Sequence, residues 1–562
     1  MNRVIIFLIL SLSLLSAGAQ AQFSKYIIVL KDKNNSPYSL NNPSAYLSAK
    51  AIARREKQNI SIDSSDLPVN PAYLDSIRNA GTVTILNVSK WLNQVLIQTL
   101  DNNAMNKISQ FSFVKNTAGI APRKSSSKYG EKNDLQKTSP VKKINKIQGG
   151  DNYYNYGNSY AQINIHEGEF LHNNNFRGEG MTIAVLDAGF YHYDTNPLFD
   201  SVRINNQVLG TWDFVANKTS VTEENAHGML CFSTIAANKP GVMVGTAPKA
   251  KFYLFRTEDA ATEYPVEEQH WVAAAEMADS LGVDLITTSL GYTTFDNPGL
   301  DYTYADMDGK TTICARGAAY AFKKGMFISA SAGNSGNSSW HYLATPADGE
   351  NVLAVGSVNA SGNASDFSSY GPSSDGRVKP DVVSVGSNTV VAGLDGNPTN
   401  AYSGTSLSNP NFAGLVTCLW QAFPERTNFE ILEAVRKSSN QYNNPDDKKG
   451  YGIPNMHVAY TLLQNKRDEE TNKRILGSEW IKAYPVPFTS AFNIIVNPPQ
   501  TSRSTLVLYD AGGKRVLVKY VDVQSGVYQQ LSFNALTSLA PGVYWLTYND
   551  GKNQKLIRLV KQ

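Results

Sequence analysis

Four side chains in this sequence, taken together, have the types needed to break an amide bond. Hydrolysing an amide near neutral pH needs a nucleophile, a base to take its proton, a group that orients the base, and donors for the developing oxyanion. Ser406 is the candidate nucleophile, standing in Ser403-Gly404-Thr405-Ser406-Leu407-Ser408-Asn409-Pro410 ahead of an apolar run, 411–422, that reads as a buried helix. A serine at a helix start exposes its hydroxyl and keeps its own backbone N–H available to an oxyanion. His227 is the candidate base. Gly228 and an apolar, helix-like run, 229–237, follow it, whereas His166, His172, His192, His270, His341 and His457 lack that setting. Its reference pKa near working pH suits a base that later acts as an acid. Asp187 closes the apolar run 182–186, where a carboxylate can hold an imidazole in one tautomer. Asn334, in Ser331-Ala332-Gly333-Asn334-Ser335-Gly336, follows another apolar run and can donate its amide to an oxyanion. Each also has an ordinary reading: an N-cap serine, a structural histidine, a loop-capping aspartate, a turn asparagine.

These groups lie far apart in the chain, so the elements between them must bring them together. Strand-like runs occur at 182–186, 251–255, 285–288, 326–330 and 352–355, and helix candidates at 270–280 and 315–323 lie between some of them. Apolar strands alternating with helices predict an α/β fold with a parallel sheet covered on both faces. In such sheets, chemistry collects beyond the carboxyl ends of the strands. Each candidate residue sits just after a predicted strand or at a predicted helix start.

The flanks differ in character. Residues 1–21 have a positive start, a nearly unbroken apolar stretch at 4–15 and small residues at Ala19 and Ala21, the pattern of a secretory signal peptide. Residues 22–120 read as a small α/β module, with strands at 26–30, 83–86 and 94–99 and helices near 45–57 and 73–80. Lysines, serines and Gly149-Gly150 make 121–155 a solvated linker. The large α/β region covers 156–465, a charged linker 466–482, and a β-sandwich of antiparallel strands 483–562. The formal net charge of +3 argues neither for nor against a nucleic-acid partner, and none is expected. Three cysteines, Cys231, Cys314 and Cys418, have no Cys or His neighbours at metal-ligand spacing, so no metal site is assigned to them. Exported chains tolerate disulfides, so one pair is compatible with this number. The apolar settings of Cys231 and Cys418 suit buried thiols.

In the order Asp, His, Asn, Ser, the motifs Asp187-Ala188-Gly189, His227-Gly228, Ala332-Gly333-Asn334 and Gly404-Thr405-Ser406-Leu407-Ser408-Asn409-Pro410 resemble the four signature blocks of the subtilase family. The resemblance covers about 300 residues. It implies a subtilisin-like parallel sheet between helices, and a secreted serine endopeptidase with Asp187, His227 and Ser406 as its triad and Asn334 at the oxyanion. Ser289-Leu290-Gly291 is similar to the family's strip that pairs with an extended substrate; Ala332 and Gly333 would line the same cleft. The chain departs from the usual pattern at Ala188, Met229 and Leu407, none of which is a reacting group. Family members often bind calcium, but no acidic loop here has a spacing that assigns a site, and no cofactor is expected. The first module resembles a subtilase pro-region, which implies a zymogen whose own pro-domain is a partner beside the protein or peptide substrate. The tail, with Tyr484-Pro485-Val486-Pro487-Phe488, Gly542-Val543-Tyr544 and a basic end, resembles a type IX secretion sorting domain. That implies export through the periplasm to the surface or medium by that machinery.

Two rival chemistries fit less well. An α/β-hydrolase needs Gly-x-Ser-x-Gly and its histidine last. A sedolisin-type peptidase needs glutamate and aspartate where His227 and Asn334 stand. A catalytically inactive, subtilisin-like surface or adhesion protein is the remaining alternative, although such scaffolds tend to lose a triad member.

Overall fold

The computed structural model describes residues 23–122, 135–139, 151–223 and 225–562. The signal-peptide segment and most of the 121–155 linker lie outside the described residues. The chain divides into two compact units, Met1–Ala459 and Tyr460–Gln562.

The first unit begins with an antiparallel sheet of β1 (Phe23–Leu30), β2 (Thr84–Ser89), β3 (Gln94–Gln98) and β4 (Val114–Pro122), in the order β2-β3-β1-β4. Helices α1 (Ala49–Lys57), α2 (Pro71–Arg78) and α3 (Asn102–Ser109) accompany it. Ser48, Asn70 and Asp101 cap their first turns by accepting backbone N–H groups, as short polar side chains do at helix starts. Ile28, Val95 and Ile97 join Ile77 and Ile108 in the small core between sheet and helices.

The main sheet has seven parallel strands: β5 (Thr182–Asp187), β6 (Val208–Asp213), β7 (Lys251–Arg256), β8 (Leu285–Thr288), β9 (Phe327–Ser331), β10 (Val352–Val358) and β11 (Val382–Val385). Their order is β11-β10-β9-β8-β5-β7-β6. All of β5, β8, β9, β10 and β11 is buried, which is why the first four read as largely apolar runs. The edge strand β6 is half-exposed, and its mixed residues gave no strand signal in the sequence.

Helices α4 (His227–Ala236), α5 (Val266–Leu281), α6 (Ile313–Lys323) and α7 (Thr405–Ala422) are the ones that matter for the site. Helix α5 ends at Gly282, whose φ of 83° is the left-handed conformation of a helix C-cap. A surface helix keeps one polar face in water, yet α5 buries even Glu276 and Asp279. The first module supplies their partners. Lys90 N and Trp91 N donate to Glu276, and Arg54, Arg55 and Lys90 converge on Asp279. Ile27, Leu96, Ile120 and Ala121 of that module pack with Tyr264 and Val266 at the start of α5.

The cysteines Cys231, Cys314 and Cys418 are all free and buried. No helix among the described residues is long and apolar enough to cross a membrane. The charged run expected in a linker at 466–482 instead continues a helix, Met456–Leu476.

The second unit is two antiparallel sheets. One joins Ile481–Tyr484, Phe492–Val496 and Gln529–Phe533; the other joins Ser502–Tyr509, Arg515–Val523, Gly542–Asn549 and Gln554–Lys561. Alternate residues such as Leu506, Leu508, Leu546 and Tyr548 point into a shared core with Phe492 and Ile494, the expected sandwich pattern.

Candidate active site

Strands β9, β8 and β5 are neighbours in the sheet, with Thr288 level with both Leu186 and Ala330. Adjacent strands lie about 4.8 Å apart, so residues leaving their carboxyl ends emerge side by side. Asp187 ends β5, Ser289 follows β8, and Asn334 follows β9 by three residues. Two helix starts complete the group: His227 opens α4 and Ser406 is the second residue of α7.

His227 Nδ1 lies 2.6 Å from Asp187 Oδ1, and both side chains are buried. The same Asp187 oxygen accepts from Ala188 N at 2.7 Å, so the backbone orients the carboxylate even without a hydroxyl at position 188. Burial works against an imidazolium here, and the adjacent carboxylate outweighs it, holding the His227 pKa well above 6.5. Gly228 has a steric reason: a Cβ there would sit 2.5 Å from Gly189 O and 2.8 Å from the Asp187 side chain. By contrast His166 and His172, fully buried and bonded to Pro454 O and Thr246 O, have pKa values lowered to about 4 by burial and act structurally.

With Nδ1 committed to Asp187, His227 Nε2 is the remaining ring nitrogen, and it has no hydrogen-bond partner among the described residues. The Ser406 hydroxyl is turned to Ser289 O at 3.3 Å, a long contact, rather than to the imidazole. Catalytic hydrogen bonds are often loose in the absence of substrate and tighten on binding.

Pro410 sits inside α7, four residues after Ser406, and has no N–H to give the Ser406 carbonyl. Two side chains from outside the helix take its place. Ser289 Oγ donates to Ser406 O at 2.9 Å, and Cys231 Sγ does so at 3.1 Å. Cys231 is also 3.8 Å from His227 Nδ1, on the same face of α4. The proline thus opens a carbonyl that ties the serine helix to both the histidine helix and β8.

Asn334 Oδ1 accepts from both Thr405 N and Thr405 Oγ1 at 2.9 Å, while Gly333 N donates to Thr405 Oγ1 at 3.2 Å. These bonds fix the oxygen end of the Asn334 amide toward Thr405. Gly333 has φ of 111°, where a side chain is strained, and a Cβ would meet Ser369 Oγ at 2.8 Å. As the second residue of a helix, Ser406 has no intrahelical acceptor for its own N–H.

The structure therefore pairs Asp187 with His227 and Ser406 with Ser289, links the two pairs through Cys231, and joins Asn334 to them through Thr405. Leu290 and Ala332 are buried, and Gly291 continues the strip beyond Ser289. Sequence reasoning missed Cys231, Thr405 and Arg256. The first was signalled by its spacing of four from His227. Arg256, from the end of β7, donates to Ala188 O at 3.1 Å and to Asp213 at 2.9 Å, pinning the turn after Asp187. No local pattern marks it.

Among the described residues, two groups bring three potential metal ligands within 4.8 Å: Asp187, His227 and Cys231, and Glu258, Glu263 and Glu267. In the first, Asp187 and His227 bond each other. In the second, Glu267 accepts the Asp259 and Tyr264 N–H groups and Glu258 accepts Tyr292 OH, so these carboxylates organise their own loop.

Residues 178–452 match the subtilase family, 25–139 the peptidase S8 propeptide domain of Bacteroidota, and 482–562 a secretion system C-terminal sorting domain. The chain is 32% identical over 273 residues to thermitase of Thermoactinomyces vulgaris, covering 47% of this chain and 82% of thermitase. It is 26% identical over 316 residues to the serine protease AprX of Bacillus subtilis (strain 168), covering 51% of this chain and 66% of AprX. A thermophilic serine proteinase of Bacillus sp. (strain AK1) is 31% identical over 286 residues, with 50% of this chain and 62% of the proteinase covered. The chain thus spans just under two thirds of the length of the last two. It belongs to the subtilase family. It also carries that family's propeptide and a type IX secretion sorting domain, which addresses it for export to the medium or cell surface.

Proposed function

We propose that this protein is a secreted serine endopeptidase, made as a zymogen, that cleaves peptide bonds through Asp187, His227 and Ser406. The observation that carries this reading is the buried 2.6 Å pairing of His227 Nδ1 with Asp187 Oδ1, which leaves Nε2 as the one nitrogen able to take the Ser406 proton. Ser406 rotates about its Cα–Cβ bond, gives its proton to Nε2, and attacks the scissile carbonyl. Asp187 stabilises the imidazolium and holds its tautomer. The Ser406 N–H and the Asn334 amide donate to the oxyanion. His227 then protonates the leaving amine, and water, activated by the same imidazole, releases the acyl group. The Ser289-Leu290-Gly291 strip binds the residues before the scissile bond.

The test is a fluorophosphonate probe on the processed protein, with the adduct mapped by mass spectrometry. It should fall on Ser406. A processed, folded protein that takes up no probe would favour the inactive surface-protein reading instead. Asn334→Leu should still label, but its kcat should fall about 10²–10³-fold with KM little changed, the usual effect of losing one oxyanion donor. A rise in KM with kcat unchanged would instead assign Asn334 to substrate binding.

A further inference from the structure

Residues 135–139 lie in the cleft beside the site. Gln136 and Lys137 pair antiparallel with Ser403 and Tyr402 in the strand Pro398–Ser403, which runs directly toward Ser406. Thr138 N donates to Ala401 O at 2.8 Å, and Asn388 Nδ2 to Thr138 Oγ1 at 2.8 Å. This is strand addition to an existing edge, the way extended peptides are commonly held.

The direction of pairing settles which part of a substrate the segment represents. Pro398–Ser403 approaches the nucleophile and stops three residues short of it. Its antiparallel partner must run away from the nucleophile, with its first residue, Leu135, nearest. In a bound substrate, only the residues after the scissile bond run away from the nucleophile in the N-to-C sense. Residues 135–139 are therefore placed as a leaving-side strand, opposite the strip at Ser289.

Leu135 is only 7% exposed and lines a cavity of about 490 Å³ that also includes His227. Leu230, Leu394 and Tyr402 provide its apolar wall, while Glu223, Arg256 and Asp259 line its polar part. Leu394 is 52% exposed, so its side chain is accessible to a group entering the cavity.

From this geometry we infer that the cavity beside His227 is the subsite for a bulky aliphatic residue immediately after the scissile bond, and that the precursor's own processing bond is the one preceding Leu135. The inference rests on the peptidase reading above. In that step Ser406 Oγ bonds to the carbonyl carbon preceding the Leu135 nitrogen and the C–N bond breaks. The proton taken by His227 passes to that nitrogen, Leu135 becomes a new N-terminus, and water hydrolyses the ester. The propeptide match runs to residue 139, so its last five residues, 135–139, would stay with the mature chain.

Two measurements test this on the full-length precursor and its processed product. N-terminal sequencing of precursor processed in isolation should read from Leu135. A peptide library with a constant sequence before the scissile bond should show Leu, Ile or Met favoured about 10–100-fold over Gly or Asp directly after it, and Leu394→Asp should remove most of that preference. A different mature N-terminus, or brisk cleavage with no preference at that position, would overturn the inference while leaving the peptidase reading intact. No cleavage of any peptide and no probe labelling would remove the peptidase reading, and this inference with it.

Discussion

A Ser406→Ala precursor, expressed and purified, should remain a single unprocessed chain and lose peptide hydrolysis by about 10⁶-fold. On the proposed reading this hydroxyl forms the acyl intermediate, so its removal leaves just binding and the oxyanion donors. His227→Ala should cost nearly as much, and the double variant scarcely more, because nucleophile and base act as one unit. Asp187→Asn should be milder, at about 10⁴-fold, since the imidazole keeps its place but not its tautomer. Both readouts are direct: kcat/KM on a chromogenic peptide, and the mass of the purified precursor over time. Maturation of the Ser406→Ala chain in isolation would exclude autoprocessing by this centre.

The second large effect concerns the contact between the first module and α5. Arg55 and Asp279 are almost wholly buried, 2.8 Å apart, and Arg55 also reaches Asp66 at 2.6 Å, which in turn meets the buried Lys324. An intact buried network adds little net stability over an apolar replacement, but removing one member strands the others. Arg55→Ala in the unprocessed Ser406→Ala background should therefore cost about 3–5 kcal/mol. Arg78→Ala, which breaks an exposed pair with Asp75, should cost no more than about 1 kcal/mol. Denaturant midpoints on the two variants decide the matter, and equal losses would mean the buried network is not what holds the module.

The network also has a pH signature. Burial pushes the Asp279 carboxyl upward, but Lys90, Arg54 and Arg55 outweigh it and hold the pKa below the ordinary aspartate value. A depressed carboxylate contributes stability above the unfolded pKa of about 3.9 and loses it as pH falls through the lower folded value. Mild acid, near pH 5, should thus leave the module in place, and release of the pro-region should depend on cleavage rather than acidification.

Much of the site was legible because its signals are local. The buried strands β5, β8, β9 and β10 appear as apolar runs, and Asp187, Ser289 and Asn334 follow at their ends. The glycine after His227 and the proline after Ser406 stand out in the string, though their reasons do not. Gly228 is required because Asp187 packs against it, and Pro410 frees a carbonyl for Ser289 and Cys231. Strands β6 and β11, the helix α3 and the strand β4 were missed, being short, edge-exposed or polar. Polar residues of α5 such as Glu276 and Asp279 would be placed in water by any local rule. Their partners are nearly two hundred residues away or more in the chain.

The sequence by itself carried the resemblance to the subtilase family, to its pro-region and to a sorting tail, and the chain order of the candidate groups, because short contiguous motifs hold them. Only the tertiary structure decided which buried charges meet across α5, how the Ser406 carbonyl is held, and that residues 135–139 run away from the nucleophile. Those depend on pairing between distant segments, and strand direction and register are settled only when the segments pack.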